Sequence, residues 1–76
     1  MLRFKLKERM AEVEFRERRH LTLQEISEAT GIGRMTLSRV LNHASNARAD
    51  TIDKLCAYFD CRIEDLVEYI PDHEAP

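Results

Sequence analysis

Apolar and charged residues alternate at the start of the chain. Leu2, Phe4 and Leu6 are separated by charged residues, and this period of two is typical of a short extended segment. Near the other end of the chain, the apolar residues within Leu66–Ile70 offer a partner strand. Two strands alone are marginally stable, so we expect such a pair to pack on helices.

The pattern becomes helical from about Lys5. Apolar residues recur at the spacing of one helix face, at Leu6, Met10 and Val13. We predict a first helix that ends at about Arg18 and keeps its charged residues on a solvated face. Phe15 does not fit the apolar stripe, and we expect it to turn back onto the core where the helix ends.

Two short helices separated by a glycine-containing turn come next. Thr22 and Glu25 have the spacing of a capping box, in which hydroxyl and carboxylate reciprocally satisfy backbone donors. This helix meets Gly31, which favours a left-handed C-terminal conformation, and another helical pattern starts at Arg34. Two helices joined in this way form a helix-turn-helix, here over about residues 22–42. Its predicted shared core consists of Ile26, Ile32, Leu37 and Val40.

A further helix follows a second capping signal. Asp50 starts the run Asp-Thr-Ile-Asp, which is typical of a helix N-terminus. The apolar residues after it share one face, at Ile52, Leu55, Cys56 and Phe59. A last helical turn is predicted over Ile63–Leu66. The pattern therefore predicts an all-α fold, a compact bundle of four or five helices, with a short two-stranded β pairing of the chain ends.

Composition is typical of a small globular protein. The 76 residues are 43% hydrophobic and 34% charged. We predict one domain over residues 1–70 and a flexible C-terminal tail over residues 71–76. The longest stretch without Asp, Glu, Lys or Arg has eight residues, Val40–Ala47, whereas a membrane-spanning helix needs about 20. The first residues also lack the apolar run of a secretory signal, so the expected location is the cytoplasm.

The charge is unevenly distributed. Residues 1–20 carry a net charge of +3, residues 21–49 carry +1, and residues 50–76 carry −6. Because clustered Lys and Arg attract phosphates, we expect an anionic partner to meet the first two thirds of the chain.

Features of an enzyme are missing from the sequence. It contains no Gly-rich phosphate loop, no paired nucleophile and base, and no cluster of metal ligands. We therefore expect neither catalysis nor a bound cofactor or metal. Cys56 and Cys61 lie in an apolar-periodic segment, where free cysteine behaves as a small buried side chain. A metal site there would need two more ligands at short spacing.

The run Leu21–Asn42 resembles the helix-turn-helix of the Cro and phage-repressor family, also called the XRE family. The later segments Thr51–Cys56 and Asp65–Tyr69 are similar to the closing helices of its short bacterial members. The resemblance covers nearly the whole chain. It implies a bundle of four or five helices, binding to double-stranded DNA, and transcriptional control, usually as a homodimer on a palindromic operator.

The family places the second helix of the motif in the major groove. At about 100° per residue, Leu37, Val40 and Leu41 share one side of that helix. The opposite arc supplies the candidate base contacts, which are Arg34, Met35, Ser38 and Arg39. Arginine can donate two hydrogen bonds to guanine, and methionine can contact a thymine methyl group. The alternative for the two arginines is ordinary surface solvation or ion pairing with Glu28.

Phosphate contacts are expected from the start of the first motif helix, from the second helix and from the loop after it. The candidates are Thr22, Gln24, Thr36, Asn42, Asn46 and Arg48. The sequence departs from the family at Leu23, where a phosphate-binding glutamine is frequent. Either Gln24 substitutes for it or the affinity is modest.

A rival interpretation keeps the fold but uses it to bind protein, as an accessory regulator or an antitoxin subunit. The acidic segment from Asp60 to Glu74 supports it, because this segment could meet a basic partner. A protein-binding version is expected to show a broad apolar patch on the face of Arg34 and Arg39.

Overall fold

The computed structural model describes residues 1–42 and 47–71. Within them the chain forms five helices and two strands, which confirms the predicted fold class, including the pairing of the chain ends. In chain order the elements are β1 (Leu2–Phe4), α1 (Leu6–Glu17), α2 (Leu23–Thr30), α3 (Arg34–Leu41), α4 (Ala49–Phe59), α5 (Ile63–Leu66) and β2 (Val67–Tyr69). No helix of this described part is long and apolar enough to span a membrane. Of the predicted tail, only Pro71 belongs to the described residues.

The two strands form an antiparallel pair that joins the ends of the chain. Leu2 lies opposite Tyr69, and Phe4 lies opposite Val67. Between these pairs, the Arg3 guanidinium contacts the Glu68 carboxylate across the strands. Phe4 is buried, so the sheet is anchored on the helices as expected.

The core is a single apolar cluster at the centre of the helices. The four residues predicted for the shared core of the motif, Ile26, Ile32, Leu37 and Val40, are all buried in it. The expectation for Phe15 is wrong, because its side chain is 85% exposed. The reason is geometric: α1 continues as a regular helix to Glu17, and a residue two positions after buried Val13 points about 200° away from it.

The helix-turn-helix consists of α2 and α3, and only half of the predicted capping box is formed. The Thr22 hydroxyl accepts a hydrogen bond from the backbone N–H of Glu25 over 3.1 Å. The Glu25 carboxylate pairs instead with Arg19, with 2.7 Å between Nη2 and Oε2. A guanidinium within reach attracts the carboxylate more strongly than a neutral N–H does. Gly31 then ends α2 in the left-handed region, at φ 79°, and its N–H donates to the Ser27 carbonyl.

α4 begins one residue before the predicted cap. Arg48 is the N-cap residue and has no side-chain capping bond, while Asp50 lies inside the first turn. A carboxylate there interacts favourably with the positive end of the helix dipole, so Asp50 stabilises the start of α4 without capping it.

Candidate nucleic-acid interface

α3 has one buried side and one exposed side. Leu37 and Val40 have no exposed surface and hold the helix on the core. Arg34, Met35 and Arg39 are exposed on the other side. Gly33 precedes the helix in an extended conformation, and its carbonyl accepts the first backbone bond of α3, from the N–H of Leu37. The predicted separation of a packed back from a polar front is therefore present.

A depression of about 600 Å³ lies on one side of α3. It brings together five of the ten predicted contact residues, Thr22, Gln24, Arg34, Met35 and Ser38. The start of α2 forms one wall, and the first turns of α3 form the other. Residues that are up to 16 positions apart in the sequence thus share one concave surface, because the turn at Gly31 folds the two helices together.

A second depression, of about 320 Å³, lies on the other side of α3. Thr36, Arg39 and Arg48 from the predicted set line it, and so does Lys54, which the sequence analysis did not select. Lys54 is the one Lys or Arg within Ala49–Phe59. Its position one helix turn after Asp50 could have indicated that it faces the same way as the start of α4.

The arginines of α3 are not paired with acidic side chains of the described residues. Within residues 1–42 and 47–71, neither Arg34 nor Arg39 forms an ion pair, and Glu28 instead accepts a hydrogen bond from the Gln24 amide over 3.4 Å. Arg39 Nη2 donates to the Met35 sulfur over 3.8 Å. The alternative of pairing with Glu28 is therefore not what the described residues adopt. A positive charge remains on the exposed side of α3.

The other predicted phosphate contacts have mixed surroundings. Asn42 is exposed at the end of α3, and its amide donates to the Ser38 carbonyl over 2.9 Å. Arg48 Nε lies 3.6 Å from Asp50 Oδ1, and both side chains are largely exposed. Leu23 is partly buried and packs against the core, whereas its neighbour Gln24 is exposed. Asn46 lies outside the described residues.

Two features were expected of a protein-binding surface, an apolar patch on α3 and an acidic segment near the end of the chain. Both are limited among the described residues. Met35 is the one large apolar side chain of α3 that is exposed. The described residues of this face therefore form no broad apolar patch. In the acidic segment, Asp60 and Glu64 are exposed, but Glu68 is paired with Arg3. The part of that segment beyond residue 71 lies outside the described residues.

Comparison with known proteins agrees with this geometry. No curated protein sequence matches the chain. The family model of the Cro/C1-type HTH DNA-binding domain matches residues 5–72. Of the described elements, this range includes the five helices and β2, and it leaves out β1. The chain therefore belongs to the family of Cro/C1-type helix-turn-helix DNA-binding domains.

Proposed function

We propose that this protein is a sequence-specific transcriptional regulator that inserts α3 into the major groove of double-stranded DNA. The observation that carries the proposal is the form of α3, a ridge with a buried apolar back and a depression on each side. In front it carries two arginines that form no ion pair with any described residue. The major groove is about 12 Å wide and admits one α-helix.

Arg34 and Arg39 are the proposed base readers. Each guanidinium can donate two parallel hydrogen bonds to O6 and N7 of guanine, which distinguishes this base from the other three. Met35 and Ser38 lie beside them on the same face of α3. The thioether is suited to a thymine methyl group, and the hydroxyl can bond to a base or a phosphate.

The two depressions are the proposed sites for the phosphate backbones that border the groove. Thr22 and Gln24 offer polar groups on one side, next to the N-terminal end of the α2 dipole, which favours anions. Thr36, Arg48 and Lys54 offer one hydroxyl and two cations on the other side. Asn42 and Asn46 complete the proposed set. These contacts position α3 without reading the sequence.

We further propose that two copies act together as a homodimer on a palindromic operator. Family resemblance supports this part of the proposal. Two recognition helices related by a twofold axis meet equivalent half-sites about 34–36 Å apart, so the half-site spacing is a direct geometric expectation.

Selection of bound sequences from random duplexes, followed by fluorescence anisotropy over a salt series, tests the proposal. We expect a palindromic consensus and a binding constant that falls linearly with salt on logarithmic axes, because bound cations displace counterions. Arg16→Ala is the matched control, since Arg16 is an exposed cation on α1 beside Phe59, at the end of α4 away from Arg48. Selection without a consensus, or affinity independent of salt, would contradict the proposal.

A further inference from the structure

The end of α4 brings the two cysteines of the chain together. Asp60 adopts the left-handed conformation, at φ 50°. Its N–H donates to the Ala57 carbonyl over 3.3 Å, and the N–H of Cys61 donates to the Cys56 carbonyl over 3.0 Å. These two bonds define a Schellman motif, in which the side chains at the positions of Cys56 and Cys61 meet.

Both thiols are free and half-buried, and both pack against the core. Burial, and then the neighbouring Cys56 thiol, raise the pKa of Cys61. Cys61 also lines a small cavity of about 170 Å³ beside Arg9 and Arg16, whereas Cys56 does not. A small molecule in this cavity would therefore meet Cys61, and the Cys56 thiol is a neighbour of Cys61.

We propose that Cys56 and Cys61 are a disulfide-forming site that exchanges with low-molecular-weight disulfides. A disulfide requires Cα atoms about 4.4–6.8 Å apart, so the backbones of the two cysteines must lie close together. The Schellman motif supplies a backbone hydrogen bond between these two cysteines. The disulfide cross-links the C-terminal end of α4 and lies apart from the exposed side of α3.

The reaction proceeds in two exchange steps. The Cys61 thiolate attacks one sulfur of glutathione disulfide, forms a Cys61–glutathione disulfide, and releases one glutathione, which takes up a proton. The Cys56 thiolate then attacks the Cys61 sulfur and expels the second glutathione. One Cys56–Cys61 bond forms, both protein thiols are oxidised, and one glutathione disulfide is reduced to two glutathiones.

Equilibration of the full chain in glutathione redox buffers tests the site. Free thiols are trapped by alkylation, and the products are identified by intact mass, in native buffer and in urea. We expect an intramolecular disulfide whose equilibrium constant is about tenfold higher in the folded chain, equivalent to about 30 mV for a two-electron couple. An equal or lower constant in the folded chain, or glutathione adducts and intermolecular disulfides alone, would overturn the proposal.

Two further measurements separate the motif from mere closeness in sequence. Asp60→Gly preserves the left-handed residue and is expected to keep the folded-chain constant, whereas Asp60→Val disfavours that conformation and is expected to lower it. By the thermodynamic cycle, the oxidised wild-type chain must also unfold at higher urea concentration than the reduced chain. Equal constants for the two variants, or a lower urea midpoint for the oxidised chain, would assign the disulfide to chance proximity.

Discussion

The Arg39 guanidinium lies against the Met35 thioether, with 3.8 Å between Nη2 and Sδ. The two residues are one helix turn apart on the exposed side of α3, and Met35 is itself 71% exposed. A guanidinium has five N–H donors, so this one contact leaves the others free. The Met35 thioether thus lies against Arg39, and the remaining N–H donors of the guanidinium are available to a partner.

Replacing Arg39 by alanine is expected to weaken binding to the selected operator by about 1–3 kcal/mol and to relax preference at one base pair. Arg39→Lys is expected to lose most of the same discrimination, because an ammonium cannot form the planar pair of bonds to guanine. Anisotropy on the operator and on its single-base variants measures both effects. Equal losses on every duplex would instead assign Arg39 to a phosphate.

Replacing Lys54 by alanine is expected to weaken binding to all duplexes by a similar factor. Lys54 lines the depression beside Arg39 and Arg48, where a phosphate contact carries no sequence information. The slope of log affinity against log salt is expected to become shallower by about 1. Arg16→Ala is the parallel control. If Lys54→Ala has the same slope as the wild type, Lys54 does not contact the phosphate backbone.

The two glycines that flank the turn are expected to differ in their response to alanine. Gly31 has φ 79°, and apart from its chain neighbours no described residue has an atom within 4 Å of an added Cβ. The cost of Gly31→Ala is therefore conformational, about 1–2 kcal/mol of unfolding free energy. Gly33 has φ −61° and the same open space, so Gly33→Ala is expected to stay within about 0.5 kcal/mol of the wild type. Urea unfolding measures both. Equal losses would show that the left-handed turn is not what requires glycine.

Alanine substitutions on the buried side and on the exposed side of α3 are expected to differ in their effect on stability. Leu37 has no exposed surface, so Leu37→Ala is expected to cost about 2–5 kcal/mol of unfolding free energy. Met35→Ala removes an exposed side chain and is expected to change stability by less than about 0.5 kcal/mol. Thermal and urea unfolding check the pair. A large loss for Met35→Ala would mean that this face is part of the folded core.

The Arg19–Glu25 pair is expected to give stability a weak dependence on acid pH. The hydrogen bond from Arg19 lowers the pKa of Glu25. A carboxyl whose pKa is lower in the folded state stabilises the fold above its unfolded pKa, and loses that effect as pH falls through the folded value. Glu25→Gln should therefore flatten the decline of the urea midpoint as the pH falls below the ordinary pKa of a glutamate, about 4.3. The control is Glu12→Gln, an exposed carboxyl on α1, and an identical change in both variants would exclude the pair as the cause.

Apolar spacing determined most of the architecture. The period of two at Leu2 and Phe4 predicted β1, and the caps and glycine between Thr22 and Arg34 predicted the helix-turn-helix. The apolar spacing also determined which side of α3 faces the core, because the burial of Leu37 and Val40 outweighs any single polar contact.

The tertiary structure decided which charged groups meet and which exposed ones lie around α3. Lys54 joined Arg39 and Arg48 around one depression, and Glu25 bonded Arg19 instead of closing its own capping box. Long polar side chains have many rotamers, and exposed pairs differ from one another by a fraction of a kcal/mol, roughly 0.2–1. Helical periodicity cannot select among such partners. The distances between packed helices select them.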